Sequence, residues 1–471
     1  MADIYLIYGR ADEKIAEKLV ELLKARWSIW WDRLVKQRFV EEIHEELPNA
    51  RCALVLWSST SRVKDTVVDE VKLAQDANIP MVFLSLDGSK AAYGFGGFPT
   101  IPIAEWDGDP NDPIFVRLFE RLSANLPQAS PPVRPPALAG GRVPLPTLFL
   151  SVSSFETQLV PEGAVKALTI AGVPAILVSA WDLVARRRPA PGPLLQALRE
   201  YHENGGFILL DSGNYEASRL TNKRWNVEDL TKVLAIAPYD WAFGFDNTRK
   251  RSPRNPVKNA QIITEMALRD QSSSQKPILP VIHAPRMPDS GYLIEVIPEV
   301  TRLVAEQLRP PLIGIPEREL GAGILQRIQT MQSVRRELDK LPFYQPVHLL
   351  GTGNPWTVAI MAAAGADTFD GLEWCRTVVD HQNDRLNHFQ HFDLFTYQTG
   401  VADLMVAREA LDDPGIDFAG KVAFHNIDYF LKFGERLREA VGTGGLGTFI
   451  TGRLGKTAAE ILQGSTKGLF R

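Results

Sequence analysis

Cysteine is nearly missing from this chain, with Cys52 and Cys375 the only two in 471 residues. Thiols so far apart in sequence build no disulfide framework, which fits a reducing compartment. Net charge is small as well. Lys and Arg number 52 against 56 Asp and Glu, a formal −4, so no global field holds a polyanion and any nucleic-acid binding must come from a local site. No apolar run approaches the ~20 residues that a membrane helix needs. The opening residues, MADIYLIY, enter a strand pattern directly, without the basic region and apolar stretch of a signal peptide. No short-period repeat stands out. These absences lead to the expectation of a cytoplasmic protein with no membrane partner.

What is present is an ordinary globular composition, 45% hydrophobic and 23% charged, enough to bury a large core. At about 100–200 residues per domain, two or three domains are expected. Residues 127–146 hold Pro127, Pro131, Pro132, Pro135, Pro136, Pro144 and Pro146 with Gly140 and Gly141, the composition of a semi-rigid linker. Ahead of it, in residues 1–126, strand runs at 4–8, 29–31, 53–57 and 81–86 alternate with helical patterns at 13–23, 39–47, 67–77 and 114–122. Such alternation predicts a doubly wound α/β domain, a parallel sheet with helices on both faces and its site at the carboxyl ends of the strands. Behind it, in residues 147–471, eight strand runs begin near residues 148, 175, 207, 241, 278, 312, 347 and 368, with helical stretches between them. That count predicts a (β/α)8 TIM barrel.

Three features of the first domain resemble the TIR family. Residues 3–10, DIYLIYGR, look like its first box, where a strand opens into a polar loop. Trp30, Trp31 and Asp32 look like its second strand, followed at 33–38 by the position of the family's mobile cover loop. Residues 55–61, VLWSSTS, and 68–74, VDEVKLA, resemble the strand, serine-rich loop and helix that carry the glutamate of NAD⁺-cleaving TIR domains. The resemblance implies a flavodoxin-like fold, NAD⁺ as substrate, Glu70 as the catalytic residue, and self-association through TIR domains. It also implies NAD⁺ contacts from Tyr8, Gly9, Arg10, Trp31, Asp32, Trp57 and Ser58. One carboxylate is chemically sufficient. Nicotinamide leaves as a neutral base, so the barrier lies in the positive charge that builds at the ribose C1′, which a carboxylate stabilises. By residue type alone, Glu70 would be a surface glutamate paired with Lys72 or Arg62. The family often has a tryptophan one turn before its glutamate, where this chain has Thr66, which leaves Trp57 and Trp31 as candidate aromatic faces.

The second domain resembles the tRNA-guanine transglycosylase superfamily on four stretches. They are 206–215, GFILLDSGNY; 243–246, FGFD; 348–353, HLLGTG; and 364–370, AGADTFD, with Arg376 following. The resemblance implies that Asp370 is a nucleophile, that Asp211 manages protons on the base, and that Asp246, His283, Gly353 and Arg376 bind it. A carboxylate attacking ribose C1′ gives a covalent glycosyl-enzyme, which an incoming base then displaces. The implied ligand is guanine, a 7-deazaguanine or a modified nucleic acid. Three departures stand out. Typical members hold structural zinc through three cysteines and a histidine, a set this chain lacks, so no zinc is expected. Asn214 replaces a glycine of the usual motif, and His283 stands where a glutamine commonly contacts the base.

His381, His388 and His391 cluster without a cysteine or carboxylate to complete a coordination set, so no metal is expected there. Residues 452–457, GRLGKT, miss the phosphate-loop spacing at Ile450 and fit a helix start. Arg186, Arg187 and Arg188 fit a solvated loop. The whole chain is thus expected to be a TIR NAD⁺ glycohydrolase or cyclase effector, an oligomer in antiphage defence, coupled to a base-binding barrel. The alternative is a base-exchanging transglycosylase on tRNA or DNA whose TIR domain only assembles.

Overall fold

The computed structural model describes residues 2–470 except 25, 32–42, 44–45, 110–111, 127–130, 156, 185–191, 222–223, 247–252 and 287–290. They divide into two compact units, residues 1–133 with 339–344, and residues 134–338 with 345–471.

In the first unit, strands β1 (Ile4–Ile7), β2 (Ile29–Trp30), β3 (Cys52–Trp57), β4 (Met81–Ser85) and β5 (Thr100–Pro102) form one parallel sheet in the order 2-1-3-4-5. Alternate residues point to opposite faces, and both faces are apolar. Ile4, Leu6, Leu54 and Leu56 pack with Leu19 and Leu23 of the helix Glu13–Leu23 and with Phe115, Leu118 and Leu122 of the helix Pro113–Asn125. Tyr5, Ile7, Val55 and Trp57 pack on the other side with Val67, Val71 and Ala74 of the helix Asp65–Asp76. This is the flavodoxin-like arrangement, and its strand order reverses between β1 and β3, where such sheets open a crevice at their carboxyl ends.

The second unit begins with a hairpin, β6 (Ala137–Leu138) and β7 (Val143–Pro144). Strands β8 (Thr147–Val152), β9 (Ala175–Ser179), β10 (Phe207–Asp211), β11 (Trp241–Phe243), β12 (Ile278–Leu279), β13 (Ile313–Pro316), β14 (Val347–Leu350) and β15 (Thr368–Gly371) then form one parallel sheet. A bridge between Val281 and Gly314 joins its two edges, so the sheet curls into the eight-stranded barrel that the sequence pattern predicts. Phe149, Leu177, Phe207, Leu209, Phe243 and Leu279 fill its interior. The proline-rich stretch is more than a linker. From Arg134 onward it belongs to the barrel unit. Val143 joins the interior cluster, and Arg142 pairs with Asp240 at 2.6 Å and donates to the carbonyls of Gly205 and Gly206, just ahead of β10 and β11. Proline sets extended backbone, and here that backbone closes the amino end of the barrel.

After β15, the hairpin of β16 (Thr377–Asp380) and β17 (Arg385–His388) lies against the long helix Phe418–Gly442. Asn426, fully buried on that helix, accepts from Val379 N at 2.9 Å and donates to Trp374 O and Thr377 O. His381 stacks on His425 at 4.1 Å, and burial drives its ring down to about 3, neutral at physiological pH. His388 and His391 stand 5.8 Å apart, ring to ring. Among the described residues no cluster of side chains has the makings of a metal site, and no helix is long and apolar enough to cross a membrane.

Candidate functional sites

At the carboxyl edge of the first sheet the loops after β1, β3 and β4 are stitched together. Gly9 approaches the serine-rich loop so closely that a β-carbon there would stand 3.0 Å from Ser61 Cβ. Ser58 Oγ donates to Asp12 Oδ2 at 2.8 Å, Ser58 N to Ser61 Oγ at 2.7 Å, and Ser59 N to Asp87 Oδ2 at 2.7 Å. Burial raises the Asp12 carboxyl above its ordinary value; the Ser58 bond opposes this, and the charge on Asp87 adds to it. Tyr8 and Trp31 are both half-buried, with ring centroids 6.1 Å apart, and Arg10 is exposed. Asp32 and the cover loop at 33–38 lie outside the described residues. Trp57 needs a correction. It has no exposed surface and stacks on Phe83 within the core, so its ring serves packing and offers no face to a ligand.

Glu70 sits on the inward stripe of its helix, one turn from Val67 and Ala74, and is half-buried. Lys72 pairs with Asp69 at 3.7 Å, and Arg62 donates to Lys90 O at 3.2 Å.

In the barrel, Asp211 and Asp370 stand on carboxyl-terminal strand ends and Asp246 lies three residues beyond β11. Asp370, only 8% exposed, is fixed by three donors. Ser151 Oγ reaches its Oδ2 at 2.9 Å, while Gly351 N and His348 Nε2 reach Oδ1 at 2.8 and 3.2 Å. An ionised carboxylate only accepts, so His348 donates through Nε2, and its Nδ1 lies 2.8 Å from Thr368 Oγ1. Second is the pair of Asp246 and His283. His283 Nε2 donates to Asp246 Oδ2 at 2.7 Å, and its Nδ1 faces Glu319 Oε1 at 3.1 Å. Burial alone would lower the His283 ring, but bonds and charges from both acids outweigh it and push it up to about 10, a resident imidazolium. Burial likewise works to raise Asp246, and the His283 bond and charge, with Asn214 and Ser212 donating at 2.7 Å each, hold it below its usual range.

Asp211 keeps a partly exposed face but is surrounded by other acids. Burial and the charges of Glu216, Asp246 and Asp370 raise it well above the carboxylate range, although Gly213 N donates to it at 3.0 Å. Gly213, at φ 75°, makes that turn, and a β-carbon there would meet Trp181 N at 2.6 Å. Gly353 and Gly371 pack backbone to backbone, and a Cβ on Gly353 would stand 1.8 Å from Glu373 Oε2. Arg376 donates to Glu373 Oε1 at 2.7 Å, so one guanidinium arm faces that acid.

The electrostatics therefore tie Asp211 to Asp246 and Asp370, and His283 joins them through Asp246. Sequence reasoning gave no role to Ser151, His348, Glu216 or Glu319. A signal existed for the first, since Ser151 is polar two residues after Phe149 on the inward face of its strand, and Ser153 follows just beyond the strand's end.

Residues 4–113 match the family model described as TIR domain. The chain is also similar to the tRNA-guanine(15) transglycosylase of Methanopyrus kandleri, at 21% identity over 241 residues, which cover 50% of this chain and 50% of that protein. The chain thus spans about half the length of the curated relative it matches.

Proposed function

From a chain that joins a TIR domain to a transglycosylase-like barrel, we propose that the TIR domain cleaves the nicotinamide–ribose bond of NAD⁺ as an effector in antiphage defence. The barrel controls it by binding guanine, a 7-deazaguanine or a modified nucleic acid, and TIR domains associate to complete the site. The observation that carries this reading is the place of Glu70. It lies half-buried on the inward stripe of its helix, just beyond the stitched serine loop. As nicotinamide leaves, Glu70 faces the charge growing at C1′; attack by water gives hydrolysis, and attack by a nitrogen of the same nucleotide gives cyclisation. The test is nicotinamide release from NAD⁺ by the full chain, with and without guanine and nucleic acid. Release that rises on addition supports the reading. No release by an assembled protein under any condition reduces the domain to an association module.

A second reading, base exchange by the barrel itself, is favoured by the three donors that fix Asp370. Asp370 would attack C1′ and displace the base, with the proton on Asp211 available to it. A trapped glycosyl adduct on Asp370 distinguishes an active transglycosylase from a sensor.

A further inference from the structure

One chain of side-chain hydrogen bonds joins the loops that follow β10, β11, β12 and β13 at the carboxyl end of the barrel. After β10, Ser212 Oγ and Asn214 Nδ2 each donate to Asp246 Oδ1 at 2.7 Å. Asp246, after β11, offers its other oxygen, Oδ2, to Nε2 of His283, which follows β12 and stands 2.7 Å away. Glu319, after β13, ends the chain with both oxygens. Its Oε1 faces His283 Nδ1 at 3.1 Å, and its Oε2 accepts from Ala284 N at 2.9 Å. Asp246 is 9% exposed and Glu319 3%, so these bonds are made largely out of water. Each carboxylate oxygen accepts about two hydrogen bonds, which fills Oδ1 of Asp246 and leaves one place on Oδ2. Between two ionised acids both nitrogens of the His283 ring carry hydrogen, and both are spent, so the ring has no donor left for a ligand.

We propose that Glu319 is a positioning residue of the barrel site: by holding the His283 ring and the backbone at Ala284, it aims the one open acceptor place on Asp246 Oδ2 at an N–H on the edge of a purine base. This deepens the reading of the barrel as a base-binding site and rests on it for the identity of the ligand. His283 is then the link through which Glu319 acts, and the base itself meets Asp246. The oxygen left for the base is the one that the ring holds, so the ring's orientation and proton count set the direction that stays open. With Glu319 ionised, the ring has one hydrogen for each neighbour. Without that charge it gives up a proton more readily, and a neutral ring has one hydrogen for two acceptors, so Oδ2 is held only part of the time. The charges that act on the ring are those of Glu319 and Asp246, and Asp211 lies near enough to Asp246 to feel its charge.

The experiment is nitrogen NMR of the histidine rings in the ligand-free full chain as pH is varied, with calorimetry of guanine on the same proteins. The His283 signals are assigned by their loss in His283→Gln. In the wild type both nitrogens of that ring carry hydrogen through neutral pH. A ring with a single N–H there overturns the proposal, whatever the variants do. In Glu319→Gln, which keeps the shape of the side chain, the midpoint of the ring falls by at least about one pH unit. Guanine affinity is level across neutral pH in the wild type. In the variant it weakens about tenfold over the range in which the ring loses its proton, whereas a packing defect alone would weaken it equally at every pH. An unmoved midpoint, or a loss of affinity that ignores the titration of the ring, returns Glu319 to a purely structural role. If the wild type binds no guanine, the base-binding reading falls, while the ring signals still decide whether Glu319 governs His283.

Discussion

The two candidate sites handle carboxylates in opposite ways. The TIR site offers one half-buried glutamate on a helix, beside loops tied together by serine hydroxyls. The barrel gathers Asp211, Glu216, Asp246, Glu319 and Asp370 around strand ends and sets one imidazolium, His283, among them. The difference suits the functions proposed for the two sites. A group that only has to face a developing positive charge needs position and an ionised state, which an ordinary glutamate supplies at neutral pH. A site that moves protons on a base needs acids whose proton affinities are pushed apart, and here Asp246 is held down while Asp211 and Glu216 are held up.

The largest expected effect tests the barrel half of that contrast. His283→Ala leaves Asp246 and Glu319 buried without their counterion, and breaking such a pair costs about 3–5 kcal/mol. The pH dependence has a definite sign. The His283 ring is raised from 6.5 to about 10 on folding, so its contribution is complete below about pH 6.5 and is lost as pH climbs through about 10. Urea midpoints of the barrel should therefore decline between these values in the wild type, and the decline should be absent in His283→Gln. A wild-type profile as flat as the variant's would mean that no imidazolium is clamped there.

The next effect sharpens the TIR half. Glu70→Gln should slow nicotinamide release by ~10²–10³ with the urea midpoints unchanged, as expected for loss of one electrostatic stabiliser. Most of the wild-type turnover surviving in a folded variant would return Glu70 to the surface glutamates. Specific activity should also rise with protein concentration if association completes the site. Constant activity down to demonstrated monomers would contradict this.

Legibility in the sequence divided along physical lines. All eight barrel strands were readable, since parallel strands buried on both faces are short apolar runs between helices, as at Phe207–Asp211 and Val347–Leu350. The edge strand Thr100–Pro102 was missed, being three residues long and ending in proline. The hairpin around Val143 was hidden by a proline-rich composition that suits a linker equally well. Acids at strand ends were found through their motifs. Their partners were not, because a serine or histidine gains its role only when strands 22 or more residues away in sequence meet, as His348 meets Asp370. Asn214 was noticed as a departure from the family pattern, but that its amide serves Asp246 emerged only from the fold.

The smallest effect asks whether the two halves are energetically separate. Each contains a helix capped by a side chain, which permits the same lesion in both. Asp112 Oδ1 accepts from Ile114 N at 2.7 Å at the start of the helix Pro113–Asn125. Asn354 Oδ1 accepts from Trp356 N and Thr357 N, at 3.0 and 3.3 Å, at the start of the helix Pro355–Ala363. Replacing either by alanine leaves a helix N–H without its acceptor, at a cost of about 1 kcal/mol. Each unit has its own apolar core, so two melting transitions are expected, each answering to one cap. The same free energy moves a small domain further than a large one, because the entropy of unfolding grows with chain length. Asp112→Ala should lower the TIR transition by roughly 4 °C, and Asn354→Ala the barrel transition by roughly 2 °C. Scanning calorimetry of both variants measures the two shifts directly. If either substitution moves both transitions together, the cores unfold as one unit and the sites cannot be treated as independent.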